Sequence, residues 1–379
     1  MEQASRQTLL AGAKTVVVKV GSRVLSGPDG CLDRDQVRLL ASQLASIADG
    51  GHQVVLVSSG AVASGMGRLK LAQRPTDLAQ LQAVAAVGQA HLIQAYESYF
   101  SILGRQAAQI LLTTDDLDDR TRYLNVRNTL MALLEMRVIP IINENDTVAV
   151  EELQTTFGDN DRLAAMVAGL FPRPALIILS DVQGLYSGDP SLPGAEILHT
   201  IPQVDQSIFD LAINRKTGIS KGGMASKLKA AQFVTQSGAP VIIAGGRIEN
   251  VLTRLVSGEE LGTLFLPKDR GMAPRKRWIG FTARASGILS VDAGAARAIR
   301  SCGPSLLAIG IVRVQGSFSK GDILSVVDDA GVEIARGLTN YGSQELARIR
   351  GLRSPAIAEL LGHCPYEEVI HRDNMTLVG

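Results

Sequence analysis

The feature that most constrains this chain is a set of six short runs rich in β-branched and other apolar residues. They are Thr15–Val20, His52–Ser58, Gln106–Leu112, Val138–Ile142, Ala175–Leu179 and Pro240–Ala244. Near-continuous apolar runs of this length suit strands covered on both faces, because a half-exposed strand would alternate. The stretches between them, Arg34–Asp49, Asp77–Leu103, Arg120–Glu135, Asn160–Leu170 and Lys227–Ser237, are long enough for crossover helices. The pattern predicts an α/β fold: an open, mostly parallel sheet with helices on both faces.

The texture changes after Leu266. Residues 267–275 mix Pro, Gly and charges and read as a linker, and Arg275-Lys276-Arg277 leads into the only tryptophan, Trp278. Beyond it come short strand patterns with turn signals, at Gly287–Val291, Gly310–Val314, Gly321–Val327 and Val332–Gly337. We therefore divide the 379 residues into a domain over 1–266, the linker, and a small, mostly β domain over 276–379.

Composition then removes whole classes. Apolar residues make up 46% and the formal net charge is +1, too apolar for a disordered chain and too neutral for a histone-like binder of nucleic acid. From Lys268 onward there are 15 basic against 11 acidic residues, so the C-terminal portion is only mildly basic. Cys31, Cys302 and Cys364 form no C-x-x-C pair, and the five histidines have no metal-ligand spacing, so no protein-held metal site is expected. Nowhere do about 18 apolar residues run uninterrupted, as a membrane-spanning helix requires. Met1–Lys14 lacks the apolar region of a secretory leader. The expected location is the cytoplasm, away from membranes.

Several of the apolar runs end in small or polar residues at their carboxyl ends, where open α/β sheets bind ligands. The first is Val17-Val18-Lys19-Val20-Gly21-Ser22, with a lysine that is costly to bury unless paired. The second is Val57-Ser58-Ser59-Gly60-Ala61, with Gly65 and Gly67 further on. The third is Ile142-Asn143-Glu144-Asn145-Asp146, followed by Gly158-Asp159-Asn160-Asp161 before a helical run. The fourth is Leu179-Ser180-Asp181, running on through Gly184-Leu185-Tyr186-Ser187-Gly188-Asp189-Pro190. The fifth is Lys221-Gly222-Gly223-Met224-Ala225-Ser226-Lys227, where glycines before a helix expose backbone N–H groups and lysines add charge for a phosphate.

Absent motifs also discriminate. There is no G-x-x-x-x-G-K-[ST], and Gly65-Met66-Gly67 does not complete G-x-G-x-x-G, so neither a P-loop kinase nor a Rossmann oxidoreductase is indicated. Gly218-Ile219-Ser220-Lys221-Gly222 matches the serine-hydrolase elbow, but Asn214-Arg215-Lys216-Thr217 before it is not a strand.

Taken together and in this order, the five motifs resemble those of the amino acid kinase family, and the segment after the linker resembles a PUA domain. The resemblance covers nearly the whole chain and is nearest to members that phosphorylate the γ-carboxylate of L-glutamate. It implies ATP as phosphoryl donor, with Mg²⁺ bound with the nucleotide. Lys19, Ser180, Asp181 and the run Lys221, Gly222, Gly223, Met224, Ala225, Ser226 and Lys227 would contact ATP. Ser59, Asp146 and Asn160 would hold L-glutamate. Lys19, Lys227 and Asp159 are the expected catalytic set, with Asp159 orienting or balancing the two lysines. One departure is that Ser220-Lys221 stands where the family commonly has Gly-Thr.

The resemblance further implies free proline as feedback inhibitor, a glutamyl-phosphate reductase as partner and a homo-oligomer. A second carboxylate or carbamate kinase, or a nucleotide kinase, of the same fold is the alternative. A different class would be an RNA-binding protein acting through the PUA-like segment, which Asp328, Asp329, Glu367 and Glu368 disfavour by interrupting any basic stripe.

Overall fold

The structure is a computed structural model. It describes residues 6–149, 159–190, 192–213, 223–268, 276, 278–282, 285–302, 304–361 and 366–378. The chain divides into two compact units, Met1–Leu117 with Thr121–Gly271, and Asp118–Arg120 with Met272–Gly379.

The first unit is built on eight strands: β1 (Thr15–Val20), β2 (Gln53–Ser58), β3 (Ala107–Leu112), β4 (Ile139–Glu144), β5 (Pro174–Ser180), β6 (Thr200–Ile201), β7 (Val241–Gly245) and β8 (Thr263–Phe265). Their order in the sheet is β3-β4-β2-β1-β5-β7-β8-β6. The six apolar runs supply the parallel part, within one or two residues at each end. All residues of β1 and β5 are buried, as strands covered on both faces must be. The sheet departs from a wholly parallel one at β8, which runs antiparallel to β7. Three residues carry too little pattern to be read as a strand from sequence alone.

Among the helices around this sheet, the ones that position the site are α1 (Arg34–Asp49), α2 (Ala61–Leu69), α3 (Leu78–Ile102), α4 (Asp159–Gly169) and α5 (Gly223–Gln236). Asp33 and Asp77 start α1 and α3 by accepting from the backbone N–H of Gln36 and Gln80 at 3.1 and 3.0 Å, which satisfies an otherwise orphaned donor. The glycines Gly65 and Gly88 let α2 and α3 touch backbone to backbone. A Cβ on Gly88 would lie 1.8 Å from the Ala61 carbonyl oxygen, and one on Gly65 1.9 Å from that of Val84. Gly65, read from sequence beside a candidate binding turn, is thus a packing glycine. Leu40, Leu44, Val18, Leu56, Ile177 and Tyr96 belong to one continuous core between sheet and helices.

The second unit has its own core, including Leu289, Leu324, Val326, Tyr341 and Val369. Its strands are β9 (Gly287–Val291), β10 (Leu306–Leu307), β11 (Ile311–Gly316), β12 (Ile323–Val327), β13 (Glu333–Leu338), β14 (Glu368–Ile370) and β15 (Met375–Leu377). Five of them form a sheet in the order β11-β9-β12-β13-β15, and β10 pairs with β14. The four strand patterns read from sequence are β9, β11, β12 and β13. Helices at Ala293–Cys302, Ser343–Ile349 and Ser354–Leu361 add to the mostly β expectation. Among the described residues no helix is long and apolar enough to cross a membrane.

Candidate active site

Strand order places the site. From β1 the chain moves to β2 on one side, and after β4 it returns as β5 on the other side of β1. Where connections diverge in this way, the carboxyl ends of the two strands open a crevice for a ligand. Lys19 is the second-last residue of β1, in register with Val57 of β2 and Ile178 of β5. Ser180 ends β5, and Ser58 ends β2 with Ser59 directly after it.

Lys19 is 6% exposed, and its charge is matched from a helix rather than from the sheet. Its Nζ lies 2.6 Å from Oδ1 of Asp161, and Nζ of Lys227 lies 3.1 Å from Oδ2 of the same carboxylate. Ser226 Oγ donates to that Oδ2 at 3.2 Å, and Lys227 Nζ also donates to the Gly223 carbonyl at 3.3 Å. Asp161 stands in the first turn of α4, where the helix dipole favours a negative charge. Burial acts to raise its pKa, but the charges and hydrogen bonds of Lys19 and Lys227 outweigh it and hold the carboxyl below its ordinary range. Lys227 is pushed below the usual ammonium value, first by burial and further by Lys19, with Asp161 opposing.

Among the described residues the carboxylate between the two lysines is Asp161, whereas the sequence assigned that role to Asp159. The side chain of Asp159 lies outside the described residues, as do Lys221 and Gly222. Of the remaining loop positions, Met224 is buried in the core and Ala225 and Ser226 are half-buried beside Lys227.

At β5, Asp181 accepts from Ser180 Oγ at 3.0 Å and from an Arg23 guanidinium nitrogen at 2.8 Å. Burial tends to raise the Asp181 pKa, and the hydrogen bonds from Arg23 and Ser180 bring it below the ordinary value. Among the described residues, counting Lys19, Lys227 and Arg23 against Asp161 and Asp181, this edge carries one cation in excess.

On the other side of β1 the hydrogen-bonded chain is neutral, although the buried Glu144 ends β4 next to it. Asn160, beside Asp161 on α4, donates from Nδ2 to Ser59 Oγ at 2.8 Å and to Asn143 Oδ1 at 3.1 Å. Asn143, on β4, donates in turn from Nδ2 to Oε1 of Gln89 on α3 at 2.8 Å. All four side chains are buried. Gly60 turns the chain from β2 into α2 at φ +110°, a conformation that glycine adopts without strain. Nearby in sequence, Asp146 follows β4, and burial pushes its pKa up to about 6, with Arg74 only partly opposing. Its Oδ1 is buried without a hydrogen-bond partner among the described residues. A buried carboxylate left in that condition suits an incoming cation.

The structure thus gathers Lys19, Lys227, Ser59, Asn160, Ser180 and Asp181, all expected from sequence, along one edge of the sheet. Asn143 stands inside a motif that the sequence marks without giving this residue a role of its own. Gln89 lies in an apolar helical stretch and carries no sequence signal, and Arg23, two residues beyond the Gly21 turn, carries little.

A fold and a charged switch-point crevice of this kind define a class, and the comparison with known proteins names it. The pattern of the amino acid kinase family matches residues 14–245, and that of the PUA domain matches residues 287–361. The chain belongs to the amino acid kinase family. Among curated relatives it is 50% identical over 374 residues to a glutamate 5-kinase of Rhodopirellula baltica, an alignment spanning 99% of this chain and 96% of the relative. It is 47% identical over 369 residues to a glutamate 5-kinase of Methylococcus capsulatus, with 97% and 98% covered.

Proposed function

We propose that the chain transfers the γ-phosphoryl group of ATP to the γ-carboxylate of L-glutamate, giving L-glutamyl 5-phosphate and ADP, the opening reaction of proline biosynthesis. The observation that carries this reading is the excess cation among the described residues of the β1–β5 edge, set beside a neutral amide chain and, at the β2–β4 edge, a carboxylate oxygen of Asp146 with no hydrogen-bond partner among the described residues. The first suits a polyphosphate, and the second suits the polar end of an amino acid. The near-full-length relatives bearing the glutamate 5-kinase name support it.

A carboxylate oxygen of glutamate attacks the γ-phosphorus, a new P–O bond forms, and the bond to the β–γ bridging oxygen breaks, leaving its electron pair on ADP. The nucleophile is ionised at neutral pH, so no general base is required. The obstacle is repulsion between anions. Lys19 and Lys227, fixed by Asp161 before substrate arrives, stabilise the charge on the transferring group without reorganising. Mg²⁺, when bound with the nucleotide, would supply further neutralisation of the phosphate charge. The oxygens of Asp181 and Asp161 already engage cations of the chain, which fits a metal held mainly by the triphosphate.

Asp146 receives the substrate ammonium. Ser59, whose oxygen accepts from Asn160, keeps its own hydroxyl proton for the α-carboxylate. Ser180, Asp181 and the loop leading into α5 hold the nucleotide. The product is an acyl phosphate prone to hydrolysis, for which a reductase is the fitting consumer, and free proline would compete at the amino-acid end. Hydroxamate trapping with ATP and Mg²⁺ tests the assignment: glutamate should react, and aspartate, one methylene shorter, should react far less because its carboxylate misses in-line geometry when the α-end is held. Equal rates with the two acids would refute it.

A further inference from the structure

The amide chain does not end at the residues expected to touch substrate. It runs from Ser59 through Asn160 and Asn143 to Gln89, which is 7% exposed and belongs to α3. Each link has a donor and an acceptor sense. Gln89 Oε1 takes a hydrogen from Asn143 Nδ2, which turns Asn143 Oδ1 toward Asn160, and both hydrogens of the Asn160 amide are then engaged by Asn143 and Ser59. Reversing any amide would set like ends against each other.

Seven residues earlier on α3, Gln82 donates from Nε2 to the backbone carbonyl of Asp146 at 3.2 Å and to that of Thr147 at 3.5 Å. Positions seven apart lie on one face of a helix. One face of α3 therefore braces both the Asn143 side chain at the end of β4 and the turn that carries Asp146. The approach of α3 is set by the Gly65–Gly88 contact, and Gly88 is the residue before Gln89.

Packing alone does not account for Gln89. Its Nε2 is buried without a hydrogen-bond partner among the described residues, a loss that an aliphatic side chain of similar volume would not incur.

We propose that Gln82 and Gln89 are positioning residues of the amino-acid subsite, fixing the polarity of the Asn143–Asn160–Ser59 chain and the seat of Asp146 so that they bind glutamate. This rests on the glutamate kinase reading above. The test uses the full chain and measures KM for glutamate and for ATP, kcat and thermal stability in wild type, Gln89→Leu and Gln82→Leu. The expected result for Gln89→Leu is a KM for glutamate raised about tenfold with the KM for ATP little changed, alongside a modest fall in melting temperature because the buried Asn143 Nδ2 loses its acceptor. Gln82→Leu should shift the same constant in the same direction by less, since Gln82 is only half-buried.

If both KM values rise together, or the variants lose stability while KM for glutamate stays put, the glutamines are structural and the proposal is overturned. Should Gln89→Leu fail to fold, Gln82→Leu decides alone. A wild-type chain that never turns over glutamate overturns the kinase reading itself, a result distinct from unchanged KM in the variants.

Discussion

The two sides of β1 solve different problems at the same sheet edge. Toward β5 and α5 the groups are ionic, with Lys19 and Lys227 sharing Asp161 and Arg23 paired to Asp181. Toward β2, β4 and α3 a chain of neutral amides and a hydroxyl is joined end to end, beside two buried carboxylates, Glu144 and Asp146, the second with an Oδ1 that has no hydrogen-bond partner among the described residues. Under the proposed function, charge stands where charge would be stabilised during transfer, and directional neutral groups stand where a small polar molecule would be oriented. A helix position separates the two regimes: Asn160 faces the amides and Asp161, the next residue, faces the lysines.

The largest effect should come from breaking the ionic side. Lys227→Ala should lower kcat by about 10²-fold or more, about 2.7 kcal/mol of transition-state stabilisation, with the fold retained, and Lys19→Ala should behave alike. Steady-state kinetics on folded protein checks this, and near-normal turnover in both would remove the phosphate-site assignment. On the neutral side the loss should fall on binding. Asp146→Ala and Asn160→Ala should raise KM for glutamate about tenfold or more while KM for ATP moves less.

The same contrast has a pH signature. Asp146 binds an ammonium only when ionised, and its pKa in the empty site is raised to about 6. The KM for glutamate should therefore climb as the pH falls from about 7 toward about 5, and Asp146→Asn, already impaired, should lose that dependence. A flat wild-type profile through that range would detach Asp146 from the ammonium. The smallest effect is expected from the second unit, which has a separate core and carries none of the assembled site residues. A chain ending at Pro267 should keep its turnover, measured per folded molecule, while inhibition by proline or oligomer mass changes. Loss of turnover in a folded truncation would show that the second unit completes the site.

Much of the architecture was legible because it depends on local pattern. A doubly covered strand is mostly apolar, so Thr15–Val20 and Ala175–Leu179 announced β1 and β5. The short strands β6 and β8 were not legible, since two or three residues hold no period and pairing is decided by the neighbouring strand. The lysine inside β1 advertised itself because an unpaired buried ammonium is untenable. Its partner did not, for Asp159 and Asp161 flank Asn160 symmetrically in the sequence, and only the folded structure shows Asp161 within reach of both lysines. Gln89 was invisible because a glutamine in an apolar helix has no distinguishing spacing.

By itself, the sequence determined the mostly parallel α/β framework, the separate C-terminal unit, and the inventory of lysines, amides and carboxylates at strand ends. Those follow from periodicity, burial cost and turn chemistry, which act over a few residues. The tertiary structure alone decided which aspartate stands between the lysines and which helix braces the amino-acid end. The phase of α4 and the glycine-to-glycine approach of α3 bring together groups from distant parts of the chain, and a hydrogen bond or ion pair depends on that separation in space.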